Sequence, residues 1–490
     1  MKLMSPRMKK ILGVEEHREA KELLEFNLRT LRILGLWKWD VPHWRYHKAF
    51  AFLAIIALIL FNITQICDVY IHINSIEHIT KLLLSIVFSS LVAFKNCYLL
   101  LRSDDASELI DQLQNKFFTS GRRPTPQQTI ILNRYAARAK LYTIIRTSLA
   151  LCTATLWILS PIKEMLLEYA EELHTRQYGD DVKSNSSKMS ILKLPFVAYY
   201  PFDVENNFLY FILTYIYQAF CGLAVFISLP TWDMLFVSVF IHTSGHFKAL
   251  QHVLIHLRED AGEALEVDGN QLDQDVRVSE HTVSDGNKFW TAAFHLKENY
   301  DGKGIRNDGR EMQSASMEQK LDRPMQHILK NCVQHHQVIL SLLICYSFVK
   351  KLEAFLKPVM LMQLLGSVIA YCVLGFQMSV IPIHGEGTKF VTLCGSFVSA
   401  LLEQGMFYWF GGELLEASSE TLNAAYHCEW YTTNIKFRKH LHILMERAKR
   451  QVKLTAGGFS TLTLENFTKV IQSSYQYFAM LKAVHNKDTD

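Results

Sequence analysis

The sequence lacks most of the features by which soluble enzymes and small secreted proteins are recognised. Its nine cysteines form no CxxC pair, so neither a zinc site nor a disulfide framework is indicated. A Walker loop, a GxGxxG fingerprint, an HExxH motif and a nucleophile elbow are also missing. We therefore expect no enzyme activity, no metal or other cofactor, and no nucleic-acid partner.

Charged residues are scarce as well. They make up 20% of the 490 residues, against 49% hydrophobic residues, and the net charge is +4. A soluble chain of this length would normally divide into about three domains with polar surface helices. Here the apolar residues are gathered into long runs, which indicates a lipid environment.

Seven of these runs are long enough to cross a bilayer, because a helix needs roughly 20 mostly apolar residues to span the hydrocarbon core. In chain order they are 49–70, 82–101, 142–166, 207–230, 358–385, 390–412 and 464–484. The second contains Lys95, the sixth contains Glu403 and Gln404, and the seventh is the least apolar. The sequence predicts an all-α integral membrane protein with seven transmembrane helices.

The charges of the loops predict the orientation. The loops after the second span and before the seventh are strongly basic, whereas the loop between the third and fourth spans is acidic. Lys and Arg accumulate on the cytosolic side, so we expect a cytosolic N-terminus and an extracellular C-terminus. Asn185 begins a glycosylation sequon in the predicted outer loop.

These features divide the chain into four parts. Residues 1–47 form a cytosolic N-terminal segment without a signal peptide, and 48–258 hold spans one to four with a cytosolic extension. Residues 259–323, rich in Asp, Glu, Gly, Gln and Ser, read as a disordered cytosolic loop. Residues 324–490 hold a long fifth helix, the sixth helix, an amphipathic cytosolic anchor helix and the polar seventh helix.

The seventh span carries polar residues at membrane depth, so it cannot face lipid all round. Ser473, Gln476, Met480 and Ala483 fall along one stripe of a helical wheel. Two alternatives remain open: the polar groups pack against neighbouring helices, or they line water. In the second case the stripe narrows to a flexible apolar side chain, Met480, as a hydrophobic gate requires.

The outer halves of the middle spans are rich in aromatic residues, including Phe88, Trp157 and Tyr210. Most such residues serve in ordinary packing or as interface anchors. A minority can enclose an apolar pocket for a small volatile molecule that is bound by shape and dispersion.

Two histidine pairs have the spacing of metal ligands on one helix. They are His242 with His246 and His252 with His256, each four residues apart. No further ligand completes either pair in the sequence, so we interpret them as histidines of a helix surface.

Two groups of motifs in about the last seventy residues resemble the insect odorant receptor family. LENF at 464–467 and SSYQYFAML at 473–481 are similar to the closing signature of that family. LEASS at 415–419, AAY at 424–426 and WY at 430–431 are similar to the segment after its sixth span. The predicted cytosolic N-terminus agrees with the inverted topology of the family.

The resemblance implies a non-selective cation channel that odorants open, with four subunits around a pore lined by the seventh helix. It implies a multi-pass protein in the plasma membrane of olfactory sensory neuron dendrites, in contact with lipid. Odour-tuned subunits assemble with a common co-receptor. Met480 falls where the family has its gate, and Ala483 falls near its outer filter, where the co-receptor carries a polar residue. This departure favours an odour-tuned subunit.

The family binds odorants in the outer half of the bundle, among the second, third, fourth and sixth helices. The positions expected to contact a small hydrophobic volatile ligand are Phe88, Trp157, Tyr210 and Ser396.

Three other classes of protein compete with this prediction. A gustatory receptor channel of the same superfamily would share the fold but not the closing signature. A G-protein-coupled receptor would have its ends on the opposite sides and an NPxxY motif in the seventh span. A transporter would show internal repeats or helices broken by Gly and Pro.

Overall fold

The computed structural model describes residues 16–37, 44–113, 126–178, 193–204, 207–256, 311–381, 387–428, 430 and 435–489. The described residues contain ten α-helices and one short β-hairpin. The elements in chain order are α1 (Glu16–Ile33), α2 (Trp44–Ile71), α3 (Ile76–Leu101), α4 (Ser103–Asp111), α5 (Pro126–Tyr178), α6 (Phe208–Ile255), α7 (Glu311–Val380), α8 (Gly387–His427), α9 (Ile435–Ala448), β1 (Thr455–Ala456), β2 (Ser460–Thr461) and α10 (Leu464–Thr489).

Six of the described helices are long and apolar enough to cross a membrane, namely α2, α3, α5, α6, α7 and α8. They contain the first six predicted spans, apart from Asn207 at the start of the fourth and residues 381–385 at the end of the fifth, of which 382–385 lie outside the described residues. The seventh predicted span lies within α10, which is less apolar than these six. The protein is an all-α membrane protein, as the sequence predicted.

Several helices extend beyond the predicted spans. The helix α5 continues through Pro161, and α6 continues through Pro230, where the fourth span was predicted to end. The helix α7 begins at Glu311, inside the segment 259–323 that we predicted as a disordered loop, so its last thirteen residues are helical. Hydropathy marks only the apolar centre of such helices, whereas their polar ends still form backbone hydrogen bonds.

The described residues form two compact units. The larger unit contains those up to Ala249, those of 344–420 and those from Arg450 onward. The smaller unit contains the described residues of 250–343 and 421–449. Within it lies α9, the predicted amphipathic helix, which buries Leu441 and Leu444.

The β-hairpin immediately before α10 is fastened to α7. Gly457 and Gly458 form its turn, with φ of 65° and 89°. Positive φ values favour glycine, because a glycine residue has no Cβ to clash with the backbone. The amide of Gly457 donates to the carbonyl of Lys357 at 3.2 Å, and Thr455 Oγ1 donates to Glu353 Oε1 at 2.8 Å. Ala-Gly-Gly at 456–458 indicates a helix break from sequence alone, and the structure shows that the break is a hairpin that ends just before α10.

Polar side chains inside the bundle pair with one another across helices. Between α2 and α3, Ser89 Oγ donates to Asn62 Oδ1 at 2.6 Å and Gln65 Nε2 donates to Ser85 Oγ at 2.8 Å. Asn62, which begins a second sequon (Asn62-Ile63-Thr64), is buried, so this sequon lies inside a helix pair. Such pairs are needed because hydrocarbon offers no hydrogen-bonding partner.

An ion pair joins α3 to α6 in the same way. Lys95 Nζ lies 2.5 Å from Asp233 Oδ1, with both side chains at most 3% exposed. The ammonium also lies 5.1 Å from the centre of the Trp232 ring, within range of a cation–π contact. Lys95 lies in the predicted second span, whereas its partner Asp233 lies three residues beyond the predicted end of the fourth span.

The histidines His242 and His246 are buried, at 5% and 7% exposure. This contradicts the interpretation that they lie on a helix surface. The reason is the position of α6, whose residues from Trp232 to Phe247 are almost all enclosed by other helices of the larger unit.

Breaking the ion pair from one side should destabilise the protein strongly. Lys95→Met leaves the carboxylate of Asp233 buried without its counter-charge, a change that typically costs about 3–5 kcal/mol. Lys95→Met with Asp233→Asn removes both charges and should recover much of the loss. The thermal unfolding midpoint of the detergent-purified chain measures both effects.

Lys81→Met is the matched control, since Lys81 lies on the same helix and pairs with Glu77 in an exposed ion pair. Exposed pairs contribute at most about 1 kcal/mol. Equal midpoints for the Lys95 and Lys81 variants would contradict a stabilising role for the buried pair.

Candidate functional site

The side chains of Trp157 on α5 and Ser396 on α8 meet inside the larger unit. Trp157 Nε1 donates to Ser396 Oγ at 2.8 Å, and Ser396 Oγ donates in turn to the carbonyl of Thr392 at 2.9 Å. Phe196 stacks on the Trp157 ring, with centroids 5.6 Å apart and planes 9° apart. The polar atoms of this group satisfy one another, so it presents largely apolar surface to its surroundings.

Phe196 belongs to the segment 193–204, which a buried glutamine on α6 holds in place. Gln218 is fully buried; its Oε1 accepts from the amide of Phe196 and its Nε2 donates to the carbonyl of Phe196, both at 2.9 Å. Gln218 Nε2 also lies 3.0 Å from Tyr200 Oη. Burial raises the pKa of Tyr200, which keeps its hydroxyl neutral. This segment is therefore fixed by backbone contacts.

A cavity of about 80 Å³ lies beside the Trp157–Phe196 stack. Its walls come from α2, α3, α5, α6 and α8 and from the segment 193–204. Apolar or small side chains form most of them, including Phe61, Leu84, Phe88, Ala150, Trp157, Phe196, Gly222, Val225, Phe226, Leu229 and Ala400. We call this space the inner cavity.

One side of the inner cavity is charged. Arg146 Nη2 donates to Glu403 Oε2 at 2.9 Å, and Arg146 Nη1 donates to Ser399 Oγ at 3.3 Å. Gln363 of α7 donates to the other oxygen of Glu403. Arg146 Nε is buried without an acceptor among the residues that the structure describes. Arg146 and Glu403 thus place one ion pair in a wall that is otherwise mostly apolar.

A larger cleft of about 970 Å³ lies on the other side of the stack. Trp157 and Phe196 line both spaces, so their stack separates this outer cleft from the inner cavity. Lys193 lines the cleft and pairs with Glu168, and this hydrogen bond raises the pKa of Lys193. The outer cleft is therefore polar at its rim, whereas the inner cavity is mostly apolar.

Three of the four predicted ligand positions line the inner cavity: Phe88, Trp157 and Ser396. The fourth, Tyr210, is 43% exposed and packs on Phe202 with ring centroids 5.4 Å apart. It lines neither the inner cavity nor the outer cleft. Sequence reasoning missed Arg146, although an arginine within the third span was a signal for a polar contact at membrane depth.

The helix α10 packs against the larger unit through one face. Val470 and Ser474 are buried, and the Phe376 and His485 rings meet edge to face at 5.3 Å. The predicted stripe lies elsewhere: Gln476, Met480 and Ala483 are exposed in the single chain, and Ser473 is partly exposed. Met480 is 68% exposed, like many apolar side chains on the outer faces of the helices in the single chain. Asn185 lies outside the described residues.

The relatives that sequence comparison finds include insect odorant receptors and their coreceptor. The chain is 22% identical over 357 residues to odorant receptor 13a of Drosophila melanogaster, covering 70% of this chain and 66% of the relative. It is 23% identical over 332 residues to the odorant receptor coreceptor of Aedes aegypti, covering 62% and 67%. The chain thus spans about two thirds of the length of these relatives.

The fold also has a solved counterpart. The insect olfactory receptor OR5 from Machilis hrabei superposes with a TM-score of 0.67, at 13% identity, over 96% of this chain and 100% of that one. At this identity the likeness concerns the fold alone.

The match to a family decides the classification. Residues 75–475, more than four fifths of the chain, match the 7tm odorant receptor family. This is a family of receptors and not of enzymes, as the sequence predicted. The helical membrane fold, the closing motifs and this match together lead to one conclusion: the chain belongs to the 7tm odorant receptor family.

Proposed function

We propose that this chain is the odour-tuned subunit of an odorant-gated, non-selective cation channel. In this proposal it assembles with the odorant receptor co-receptor in the plasma membrane of olfactory sensory neuron dendrites. The observation that carries the proposal is the inner cavity, an aromatic space among membrane helices. Ala483, at the position where the co-receptor has a polar residue, favours the odour-tuned role.

The walls of the inner cavity define the class of ligand. A volume of about 80 Å³ is far below the 300–1,000 Å³ of pockets for drug-sized molecules, so it suits a volatile molecule with few heavy atoms. Trp157 and Ser396 are already paired with each other. Arg146 in the cavity wall therefore favours an apolar ligand with one hydrogen-bond acceptor, such as a ketone or an ester.

The outer cleft provides a route for the ligand, and the Trp157–Phe196 stack stands across it. Phe196 is held through its backbone by Gln218, so its side chain can turn without release of the segment. OR5 from Machilis hrabei was solved in complex with eugenol, which supports the binding of a small ligand by this fold.

Binding is linked to the pore through α7. Gln363 on α7 donates to Glu403 at the cavity wall, and farther along the same helix Phe376 contacts His485 of α10. A ligand opens the channel only if it binds the open arrangement more tightly than the closed one. In our proposal, a ligand that engages Arg146 alters its contact with Glu403, which shifts α7 and α10 and draws Met480 out of the pore.

Filling the inner cavity should weaken the odorant response. We expect the chain to give odorant-evoked cation current only when it is expressed with the co-receptor, tested with a panel of volatile ketones and esters. Ala150→Leu places a larger side chain into the cavity and should raise the half-maximal odorant concentration at least tenfold, which requires a loss of only about 1.4 kcal/mol of binding free energy.

Ala137→Leu is the matched control, because it makes the same substitution at an exposed position of α5. It should leave the current and the surface level unchanged. A full odorant response from the Ala150 variant would remove the inner cavity from the proposal, and evoked current without the co-receptor would remove the assembly.

Met480→Ala should raise the basal current several-fold. The shorter side chain leaves the proposed constriction wider and easier to wet, so the closed state leaks. Whole-cell current without odorant measures the effect. Met362→Ala, at a 41% exposed position of α7, is the control; a Met480 variant with unchanged basal current would exclude Met480 as the gate.

Glycosylation tests the proposed orientation. If the loop that contains Asn185 faces the outside, the chain should carry a glycan there, and Asn185→Gln should abolish the mobility shift caused by peptide N-glycosidase F. A further sequon, Asn466-Phe467-Thr468, lies at the start of α10, on the proposed cytosolic side, so Asn466→Gln should not change the shift. Loss of the glycan in the Asn466 variant instead would invert the orientation.

A further inference from the structure

Three potential metal ligands meet where α2 ends and α3 begins. Asp68, His72 and His78 each offer one ligand atom, and these atoms lie within 4.8 Å of one another. Asp68 Oδ1 lies 3.1 Å from His72 Nδ1, and Asp68 Oδ2 lies 2.8 Å from His78 Nε2. The two imidazole rings are 4.4 Å apart. One carboxylate thus holds both histidines.

The local sequence produces this arrangement. Asp68 and His72 are four residues apart at the end of α2, so they share a helix face. The turn 72–75 then reverses the chain, and Ser75 caps α3 by accepting from the amide of His78 at 3.4 Å. His78 is thereby placed in the first turn of α3, facing back toward Asp68.

We infer that Asp68, His72 and His78 form a binding site for Zn²⁺. Two imidazoles and one carboxylate are the ligand types that suit zinc, whereas calcium and magnesium prefer oxygen ligands alone. Three protein ligands leave a fourth tetrahedral position for water or a ligand. The site requires no ligand from outside this hairpin of helices.

The geometry needs little adjustment to accept the ion. Ligands at about 2.0–2.2 Å from a tetrahedral zinc stand roughly 3.3–3.5 Å apart, so the most distant pair must approach by little more than 1 Å. Asp68 is buried and fixed, with its side chain 7% exposed, whereas the His72 side chain is 49% exposed and can rotate. The buried carboxylate orients the site, and the exposed imidazole closes it.

The site lies beside groups that the proposed function uses. Asp68 and Glu77 line the outer cleft, and Glu77 interacts electrostatically with His78 and with His485 of α10. A bound Zn²⁺ therefore fastens α2 to α3 at the rim of the cleft and adds positive charge near the end of α10. That this rim faces the outside rests on the proposed orientation.

Metal binding by the purified full chain tests the site without channel activity. The chain is prepared in detergent with an affinity tag that contains no histidine. Competition with a chromophoric chelator measures the Zn²⁺ affinity, and the visible absorption of Co²⁺ reports a tetrahedral site. Asp68→Asn and His78→Gln should each weaken Zn²⁺ binding at least tenfold, since even loss of an outer-shell partner costs about 10–100-fold.

His256→Gln is the matched control. His256, just after the end of α6, stacks on His252 of that helix with ring centroids 4.3 Å apart. This pair is therefore the main alternative metal site. The control variant should bind Zn²⁺ as the unmodified chain does. Unchanged affinity in folded Asp68 and His78 variants, or loss of binding in the His256 variant, would overturn the proposal; the thermal unfolding midpoint verifies folding.

A second measurement places the site in the working receptor. Zn²⁺ added outside cells that express this chain with the co-receptor should shift the half-maximal odorant concentration, and His78→Gln should remove that shift. A failure of the proposed channel function would appear as absent current, while the binding measurement in detergent would still decide the metal site. A shift that persists in the His78 variant would assign the effect to another site.

Discussion

The requirement that buried charges find partners inside a membrane protein governs this structure. Hydrocarbon cannot solvate Lys95, Asp233, Arg146 or Glu403, so the helices that carry them must meet in a fixed register. The pair of Lys95 and Asp233 fixes α3 against α6, and the pair of Arg146 and Glu403 fixes α5 against α8. Apolar packing alone allows helices to slide in lipid, because lipid tails are as apolar as leucine side chains. The ion pairs therefore supply specificity that hydrophobicity cannot.

The same constraint explains why the proposed ligand site lies where it does. Arg146 and Glu403 hold α5 to α8 and also line the inner cavity. In our proposal, a ligand that engages the guanidinium of Arg146 competes with Glu403 for it and so acts on a contact that holds two helices together. Gln363 joins this contact from α7, so the disturbance reaches a third helix. Binding energy can thus be converted into movement because the binding group and the packing group are one side chain.

Sequence reasoning recovered what depends on local pattern. Long apolar runs located the membrane helices, and the resemblance to the odorant receptor family led to Trp157 and Ser396, which line the same cavity. It missed what depends on contacts between distant residues. Asp233 lies in the part of α6 beyond the predicted fourth span, and its contact with Lys95 cannot be read from either segment alone. His242 and His246 are buried because other helices surround α6. The Asp68–His72–His78 group was not predicted because its members lie at the junction of two helices, whereas a four-residue spacing reveals only pairs of ligands on one helix. Tyr210 was chosen by general position, which cannot tell a cavity wall from an exposed face.

The helix α10 is the least apolar of the predicted spans, and this follows from the role proposed for it. Its buried face, with Val470 and Ser474, packs against the rest of the larger unit, while Gln476 and Met480 remain exposed. A polar stripe of this kind is costly against lipid but is stable against water or against matching helices. If copies of α10 surround a pore, each stripe meets water and each Met480 meets its counterparts. The segment that fits a membrane worst in one chain is then the segment that only an assembly can complete: in our proposal one face of α10 packs within the chain, and another face serves assembly and conduction.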